Sequence, residues 1–307
     1  MHFDIIGDIH GYADALKSLL SRLGYDERGG AYVHPESQAI FLGDFVDRGP
    51  AIRDSLAIVR RMVAAGSARA VMGNHEYNSI CFHTIKRDES HRWLRSRNDR
   101  HIHQHLETLY QFRHHQNEWR DHLAWFSTLP LFLDLRRLRI VHAAWHAESL
   151  ALLRHYSDAG TLTEELLRLA TIRGNKEFDA IQNVLKGVEI HLPRDEVFVD
   201  KEGVERSQIR VRWWDPAPGK NYRSIAVSPS PEIMAESLAP EDGARLAGYS
   251  DEIPVFFGHY WLEDATPVIL SPYVACLDFS VANGGYLAAY RWKGEGELTN
   301  EHYVVSG

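Results

Sequence analysis

Short apolar runs that stop at polar residues recur along this chain and constrain its fold more than any other feature. The runs span residues 3–6, 39–42, 68–72, 138–141 and 254–257. Between the first three runs, apolar residues recur at helical spacing and stop near Gly24 and Gly66. Strands that alternate with helices are typical of a β-α-β sheet, so the pattern predicts an α/β fold. The tail 274–292 predicts two more strands joined by a turn at 283–285.

Each of the five runs is followed within a few residues by potential metal ligands. In chain order these are Asp8, His10, Asp44, Asn74, His75, His142 and His259. In open α/β sheets, the carboxyl ends of the strands converge on one edge, where ligands bind. Oxygen and imidazole ligands without thiolates suit manganese, iron, zinc, nickel or cobalt. A carboxylate such as Asp44 can bridge two ions, and two ions roughly 3.5–4 Å apart suit phosphoryl chemistry. The residues therefore predict a site for two divalent metal ions. The ligand types do not choose between these metals, and manganese is the one we expect.

Five motifs in this chain resemble those of the calcineurin-like metallophosphoesterases. They read GDIHG (7–11), GDFVDRG (43–49), GNHE (73–76), VHAAW (141–145) and FGHYW (257–261). They follow the order of the family, and with the tail the resemblance reaches about residue 285. Within the superfamily, the chain is most similar to the branch of the phosphoprotein phosphatases and the symmetrical diadenosine tetraphosphatases. The resemblance implies a four-layer α/β/β/α sandwich of two mixed β-sheets, flanked by helices and carrying an inserted helical cap.

The resemblance also divides the ligands between two metal ions. One ion would be held by Asp8, His10 and Asp44, and the other by Asp44, Asn74, His142 and His259. His146 is an alternative to His142, but only His142 directly follows the apolar run. Helix capping is the simpler explanation for a single Gly-Asp turn at Asp8 or Asp44. It does not explain five motifs in the order of the family.

The resemblance implies that three further residues act on the substrate. His75 would protonate the leaving-group oxygen while water, held between the metals, attacks the phosphorus in line. Asp47 would orient His75 and stabilise its charge, and Arg48 would bind the phosphate. A carboxylate keeps a nearby histidine charged around neutral pH, and an arginine suits a phosphate anion. The alternative for Asp47 and Arg48 is an exposed ion pair, which contributes about 0–1 kcal/mol.

The chain departs from the family motifs at several positions. Ala143 and Ala144 stand where the family has Gly-Gly or Ala-Gly, and Tyr260 stands where the last motif has threonine. We expect Tyr260 to line the substrate pocket. The segment VRWWDP (211–216) resembles the Trp-Ser-Asp-Pro segment of the protein phosphatases, after which a second phosphate-binding arginine is expected. Arg223 is the candidate for that residue.

We expect one calcineurin-like domain over residues 1–307, with helical insertions at 79–129 and 149–190. The first insertion is rich in histidine and arginine, and His101 and His105 have the i, i+4 spacing of a metal pair. A polar helix face is nevertheless the expectation for these histidines. A polar role in substrate binding is the alternative.

The composition limits the setting and the partners of the protein. The net charge of −8 and the pI of about 6.1 argue against broad nucleic-acid binding, which needs a basic face. The two cysteines, Cys81 and Cys276, cannot form a disulfide framework and are expected to be buried. The N-terminal residues lack the features of a signal peptide, and no stretch has the length of a membrane span. We therefore expect a cytoplasmic protein without a membrane partner.

The leading expectation is a metal-dependent phosphatase that acts on phosphoprotein Ser/Thr or on nucleotides such as dinucleoside polyphosphates. The tail at 274–292 resembles the closing hairpin of the diadenosine tetraphosphatases, which favours nucleotides as substrates. The RWWDP segment resembles that of the protein phosphatases, which favours phosphoproteins. Two alternatives stay open, namely a phosphatase that processes nucleic-acid ends and a non-catalytic scaffold of the same fold. Scaffolds of this kind lose metal ligands or the catalytic histidine, and this chain keeps them all.

Overall fold

The predicted α/β fold is confirmed by a computed structural model, which describes residues 2–87, 92–199, 203–264 and 266–307. The β-strands are β1 (His2–Ile6), β2 (Asp26–Arg28), β3 (Ala31–Val33), β4 (Ser37–Phe41), β5 (Ala68–Ala70), β6 (Phe132–Asp134), β7 (Arg139–Val141), β8 (Glu189–His191), β9 (Phe198–Val199), β10 (Glu205–Arg206), β11 (Gln208–Arg210), β12 (Val255–Phe257), β13 (Val274–Cys276), β14 (Asp278–Phe279), β15 (Tyr286–Trp292) and β16 (Tyr303–Val305). The α-helices are α1 (Ala13–Arg22), α2 (Ile52–Ala64), α3 (Asn74–His83), α4 (Asp99–Gln111), α5 (Gln116–Phe126), α6 (Ala147–Arg154), α7 (Glu164–Leu169), α8 (Lys176–Lys186), α9 (Tyr222–Ile225) and α10 (Pro240–Arg245). Short 3-10 helices lie at Pro193–Asp195, Val281–Asn283 and Asn300–His302.

The larger sheet is built around the first predicted strands. Its order is β14-β15-β1-β4-β5, and β16 pairs with β15. Strands β1, β4 and β5 are parallel, whereas β15 runs antiparallel to β1 with Trp292 opposite Phe3. The carboxyl ends of β1 and β4 therefore lie side by side. Asp8 and Asp44 follow these two ends, at the edge where the sequence predicts the ligands to meet.

The smaller sheet carries the fourth and fifth predicted strands. Its order is β13-β12-β7-β6, with β7, β12 and β13 parallel and β6 antiparallel to β7. Both sheets are therefore mixed, as predicted. His142 directly follows β7, and His259 lies two residues after β12. The parallel strands of this sheet thus deliver both histidines to one edge.

Alternate residues of the strands belong to two apolar clusters. The first cluster joins both sheets and contains Ile5 of β1, Ile40 of β4, Ile140 of β7 and Phe256 of β12. The second contains the neighbouring residues Ile6 and Phe257 together with the buried faces of α1, α2 and α8. This alternation is expected for strands that are buried on both faces. It is consistent with the proposed sandwich, whose four-layer order stays a prediction.

Helices occupy most of the two predicted insertions. Within 79–129, α3 and α4 are separated by a segment in which Ile85 forms a bridge with Trp93. Residues 88–91 of that insertion lie outside the described residues. Within 149–190, α6, α7 and α8 are followed by β8. The description of these segments as insertions into one domain stays a prediction.

Both cysteines are buried free thiols, as predicted. Cys81 lies in α3 and Cys276 in β13. Within the described parts of the chain, no helix combines the length and the apolarity that crossing a membrane requires.

Candidate metal centre and active site

The carboxylate of Asp44 lies between two groups of imidazoles. Its Oδ2 atom is 3.6 Å from His10 Nε2 and 3.9 Å from His75 Nε2. Its Oδ1 atom is 3.5 Å from His142 Nε2, and the His142 ring lies 5.2 Å from the His259 ring. In each group the candidate ligand atoms lie within 4.8 Å of one another. One carboxylate is therefore placed where it could serve two ions.

Backbone carbonyls orient two of these imidazoles. His10 Nδ1 donates to Val46 O at 3.0 Å, and His142 Nδ1 donates to Leu42 O at 2.7 Å. For His10 this leaves the lone pair of Nε2, which has no described hydrogen-bond partner, free for a metal. His142 Nε2 lies 3.0 Å from Asn74 Oδ1 and would exchange that contact for a metal. Burial and the nearby His75 lower the pKa of His10 to about 4, so its imidazole is neutral, as a metal ligand must be.

Three buried atoms of the candidate ligands have no hydrogen-bond partner among the described residues. They are Asp8 Oδ1, His10 Nε2 and His259 Nε2. A buried polar atom without a partner costs about 1–3 kcal/mol. Burial and the neighbouring Asp278 raise the pKa of Asp8, so its negative charge is not fully compensated. Divalent cations would satisfy all three atoms, and the residues present therefore fit the two predicted ions.

A glycine and the start of α3 bring the remaining ligands into the cluster. Asn74 is the first residue of α3, and its Oδ1 atom lies 3.0 Å from His142 Nε2. His259 N donates to Asp8 Oδ2 at 3.0 Å. A Cβ atom on Gly258 would lie 2.0 Å from Asp8 Oδ1, so this approach requires glycine. The structure thus brings all six predicted metal ligands together.

Asp47 accepts hydrogen bonds from three side chains. Its Oδ2 atom lies 2.5 Å from His75 Nδ1, and its Oδ1 atom lies 2.7 Å from His105 Nδ1. Thr108 Oγ1 donates to Oδ1 at 2.6 Å. Burial opposes the ionisation of Asp47, but His105 and His75 lower its pKa well below the ordinary value. The carboxylate therefore stays charged and holds the imidazole of His75 in place.

The imidazole of His75 is placed to donate a proton. Burial lowers the pKa of His75, but the carboxylates of Asp44 and Asp47 outweigh burial and raise it above the ordinary value. Since Nδ1 is bonded to Asp47, Nε2 is the nitrogen that can serve a reacting group. Nε2 lies 3.9 Å from Asp44 Oδ2, beside the candidate metal ligands.

Glu76, the last residue of the third motif, is a site residue that the sequence analysis missed. Its buried carboxylate accepts hydrogen bonds from the backbone N–H groups of Asp44, Phe45 and Gly73 at 2.8, 2.8 and 3.0 Å. These bonds support the turn after β4, in which Asp44 has a φ of 53°. A left-handed backbone is strained at a non-glycine residue and persists only with such support. Glu76 therefore positions the central carboxylate.

Arg48 lies exposed beside the cluster. Its guanidinium stacks on the ring of Trp261, 4.0 Å from the centroid. Both residues line the same cavity as Asp44 and His75. The stacking holds a cation where a phosphate group would meet the metal ligands.

Arg223 does not join this cluster. Its Nε donates to Ile233 O at 2.6 Å and its Nη2 to Pro231 O at 2.8 Å. It is not among the described residues that line the cavity. The guanidinium braces a loop, so the prediction that Arg223 binds phosphate does not fit its position. Spacing from the WWDP segment alone could not show where this side chain points.

Tyr260 lines the cavity, but mainly as a packed ring. It is 5% exposed, and its ring lies 5.3 Å from Phe257 and 5.5 Å from Trp214. The adjacent Trp213 is also buried, and its Nε1 donates to Ala143 O at 3.0 Å. These aromatic residues support the strand ends that carry His142 and His259.

The expectation of a polar histidine face is wrong for His105. This residue is 5% exposed and bonds to Asp47, whereas the ring of His101 bonds to Ser96 at the surface. His146 caps α6 by accepting from Ser149 N. His146 therefore caps a helix and does not belong to the cluster of candidate metal ligands.

The chain is similar to curated tetraphosphatases over part of its length. A bis(5′-nucleosyl)-tetraphosphatase (asymmetrical) from Halalkalibacterium halodurans is 45% identical over 76 residues, which are 24% of this chain and 31% of that protein. A relative of the same name from Bacillus thuringiensis is 32% identical over 152 residues, which are 47% of this chain and 57% of that protein. The chain thus spans about a third to somewhat over half of these relatives. These relatives are named asymmetrical tetraphosphatases, whereas the motifs of this chain resemble those of the symmetrical diadenosine tetraphosphatases.

A solved phosphatase structure shares the fold. A protein serine/threonine phosphatase from Saccharomyces cerevisiae aligns over 99% of this chain and 78% of its own, with a TM-score of 0.53 and 12% identity. At that identity the likeness shows the fold alone. Residues 1–260 of this chain match the model of the calcineurin-like phosphoesterases. Because this match covers most of the 307 residues, the chain belongs to the calcineurin-like phosphoesterase family.

Proposed function

We propose that the protein is a divalent-metal-dependent hydrolase of phosphoester or phosphoanhydride bonds. The observation that carries this proposal is the position of Asp44 between two imidazole groups, beside three buried ligand atoms that lack partners. When bound, two cations would supply Lewis-acid stabilisation of the phosphoryl oxygens and of the attacking water. The six proposed ligands are Asp8, His10, Asp44, Asn74, His142 and His259.

The side chains around the metal ligands would bind the substrate and move one proton. Arg48 offers its guanidinium to the phosphate oxygens, and Trp261 keeps that guanidinium in place. His75 donates a proton from Nε2 to the leaving-group oxygen. Asp47 fixes the orientation of His75 and stabilises its positive charge. His105 and Thr108 in turn fix Asp47.

Dinucleoside polyphosphates are the substrates we propose first. The support comes from the names of the curated relatives and from a cavity of about 1630 Å³ beside the ligand cluster. Pockets of roughly 300–1,000 Å³ already hold drug-sized ligands, so the cavity can take much more than one phosphate group. The RWWDP segment, which favoured phosphoproteins, contributes two buried tryptophans that do not line the described cavity. It therefore does not discriminate between the substrates.

We also propose manganese as the metal and the cytoplasm as the setting. Carboxylate, amide and imidazole ligands without thiolates suit manganese, as well as iron, zinc, nickel and cobalt. Both cysteines are free and buried, which fits a reducing compartment.

The test is an assay of the purified protein after treatment with EDTA and addition of one divalent metal at a time. The substrates are p-nitrophenyl phosphate, diadenosine tetraphosphate, a phosphopeptide and an RNA 3′-phosphate. We expect hydrolysis that depends on the added metal, with the highest kcat/KM for the tetraphosphate. If none of manganese, iron, zinc, nickel and cobalt supports hydrolysis of any of these substrates, the proposal is contradicted. Selective hydrolysis of the phosphopeptide or of the RNA would reassign the substrate.

A further inference from the structure

The cavity beside the ligand cluster is basic although the whole chain is acidic. Ten lysine and arginine residues line it against six aspartates and glutamates, counted over the described residues. Two of those six are Asp44 and Asp47, which the proposed metal centre and the two imidazoles already engage. The net charge of the chain is −8. Concentrating positive charge in one cleft of an acidic protein favours an anionic ligand there.

Three of these cations form a cluster inside the cavity, consisting of Lys186, Arg95 and Arg210. Lys186 is the last residue of α8, Arg210 is the last residue of β11, and Arg95 lies between α3 and α4. Burial and the Arg95 guanidinium lower the pKa of Lys186 to about 8, and Arg210 acts in the same direction. Arg95 and Arg210 therefore both lie close enough to Lys186 to repel its charge, and all three side chains line the same cavity.

The described neighbours compensate this cluster only in part. Glu189 is the one carboxylate among those neighbours that act on Lys186, and it already accepts a hydrogen bond from Arg210 Nη2 at 3.1 Å. Arg95 Nη2 donates to the neutral amide of Gln104 at 2.7 Å. Half-buried cations without matching anions are costly. A bound anion would remove that cost.

The cation cluster adjoins the metal ligands. The three cations line the same cavity as Asp44, His75 and His259. A Cβ atom on Gly187 would lie 2.3 Å from Tyr260 Oη and 3.3 Å from Arg210 Cδ. The backbone after Lys186 therefore packs directly on the residue that follows His259.

We propose that Lys186, Arg95 and Arg210 form a subsite for a second phosphate group of the substrate. Ammonium and guanidinium groups bind phosphate oxygens through charge-assisted hydrogen bonds. Since the cluster adjoins the metal ligands, it would hold a phosphate that neighbours the one being cleaved. The subsite therefore favours substrates with a di- or polyphosphate chain, and its three cations come from the segment between α3 and α4, from α8 and from β11. The proposal rests on the proposed function, because it names a substrate class for the same site.

The test compares a substrate with one phosphate and a substrate with several. Lys186→Met keeps most of the length of the side chain and removes its charge, and Arg173→Met removes an exposed charge from the same cavity. We expect Lys186→Met to raise KM for diadenosine tetraphosphate about tenfold or more, and a tenfold change corresponds to about 1.4 kcal/mol. The same variant should leave kcat/KM for p-nitrophenyl phosphate within about twofold of the wild-type value. Arg173→Met should change both within about twofold. Lys186→Arg should restore most of the loss.

An equal effect of Lys186→Met on both substrates, or no effect on either, would overturn the subsite. The lysine could instead stabilise the carboxyl end of α8. In that case Lys186→Met would lower the melting temperature and leave the ratio of the two KM values unchanged. This outcome would also overturn the subsite.

A binding measurement separates the subsite from the proposed function. In EDTA, we expect the wild-type protein to bind inorganic tripolyphosphate about tenfold more tightly than inorganic phosphate by calorimetry, and Lys186→Met to lose this preference. Preferential binding of tripolyphosphate without hydrolysis of any substrate would support the subsite and contradict the proposed hydrolase activity. Hydrolysis without preferential binding of tripolyphosphate would support the hydrolase activity and contradict the subsite.

Discussion

At the scale of single residues, Asp47 organises the reactive end of the site. Its carboxylate joins His75 of α3 to His105 and Thr108 of α4. Its own backbone is left-handed, with a φ of 68°. Such a conformation costs of order 1–3 kcal/mol and persists only where neighbouring contacts hold it. The three hydrogen bonds provide those contacts and at the same time orient the proposed proton donor.

Replacing His75 by asparagine tests its role as the proton donor. We expect kcat on phenyl phosphate to fall by about 10²–10⁴-fold, which is the usual contribution of a general acid. The loss should be smaller on p-nitrophenyl phosphate, because its leaving group needs less protonation. Steady-state kinetics with both esters and saturating manganese measure the difference. Near-normal hydrolysis by His75→Asn, or equal losses on both esters, would refute the assignment.

His105→Gln tests whether that histidine acts through His75. We expect a loss of kcat of about tenfold in the wild-type background, because Asp47 is held less firmly. In the His75→Asn background the same change should have little effect, since coupled residues are not additive. A double-mutant cycle on kcat measures the coupling. Full additivity of the two changes would show that His105 does not position His75.

Gly258→Ala tests the placement of Asp8. The added Cβ atom would lie 2.0 Å from Asp8 Oδ1, so the carboxylate or the backbone must shift. We expect manganese affinity to fall by about 10–100-fold, as it does when the surroundings of a ligand are disturbed. Gly296→Ala is the matched control, because no described atom lies within 4 Å of its added Cβ. If calorimetry gives both variants the same affinity, Asp8 is not a ligand.

At the scale of elements, the buried face of helix α5 contains a histidine, His122. His122 is 4% exposed, and its ring centroid lies 5.6 Å from that of Phe112 and 6.3 Å from that of Phe126. Burial and the charge of Arg60 lower the pKa of His122 to about 4. The folded protein therefore keeps this imidazole neutral where the unfolded chain, with a pKa near 6.5, becomes charged. Stability from this residue is present above pH 6.5 and is lost as the pH falls toward 4.

His122→Phe should make the protein less sensitive to acid. Between pH 7 and pH 5 we expect the free energy of unfolding to fall by about 2 kcal/mol more in the wild-type protein than in the variant. Urea denaturation at both pH values measures the difference. Equal losses in the two proteins would show that His122 is not held neutral by the fold.

The elements also show which parts of the site a sequence can reveal. The clustering of the proposed metal ligands could be predicted because each follows an apolar run, and parallel strands bring such positions to one edge. His105 could not be paired with Asp47, since 58 residues separate them and only the docking of α4 joins them. The same holds for Lys186, whose neighbours come from distant segments. Arg223 was misplaced because sequence spacing says nothing about the direction of a side chain in a loop.

At the scale of the whole molecule, the candidate site is assembled from both ends of the chain. Asp8 and His259 lie 251 residues apart in sequence and are joined by a hydrogen bond of 3.0 Å. The two mixed sheets meet at this point. Because the proposed ligands come together only in the folded chain, we expect metal binding to be coupled to folding.

The most direct test is the metal content of the folded protein. After equilibration with manganese and removal of the free ion, elemental analysis should give about two ions per wild-type chain. Asp44→Asn should lose at least one of them, because this carboxylate faces both imidazole groups. Fewer than one ion per wild-type chain, or the same content in Asp44→Asn, would contradict the two-metal centre.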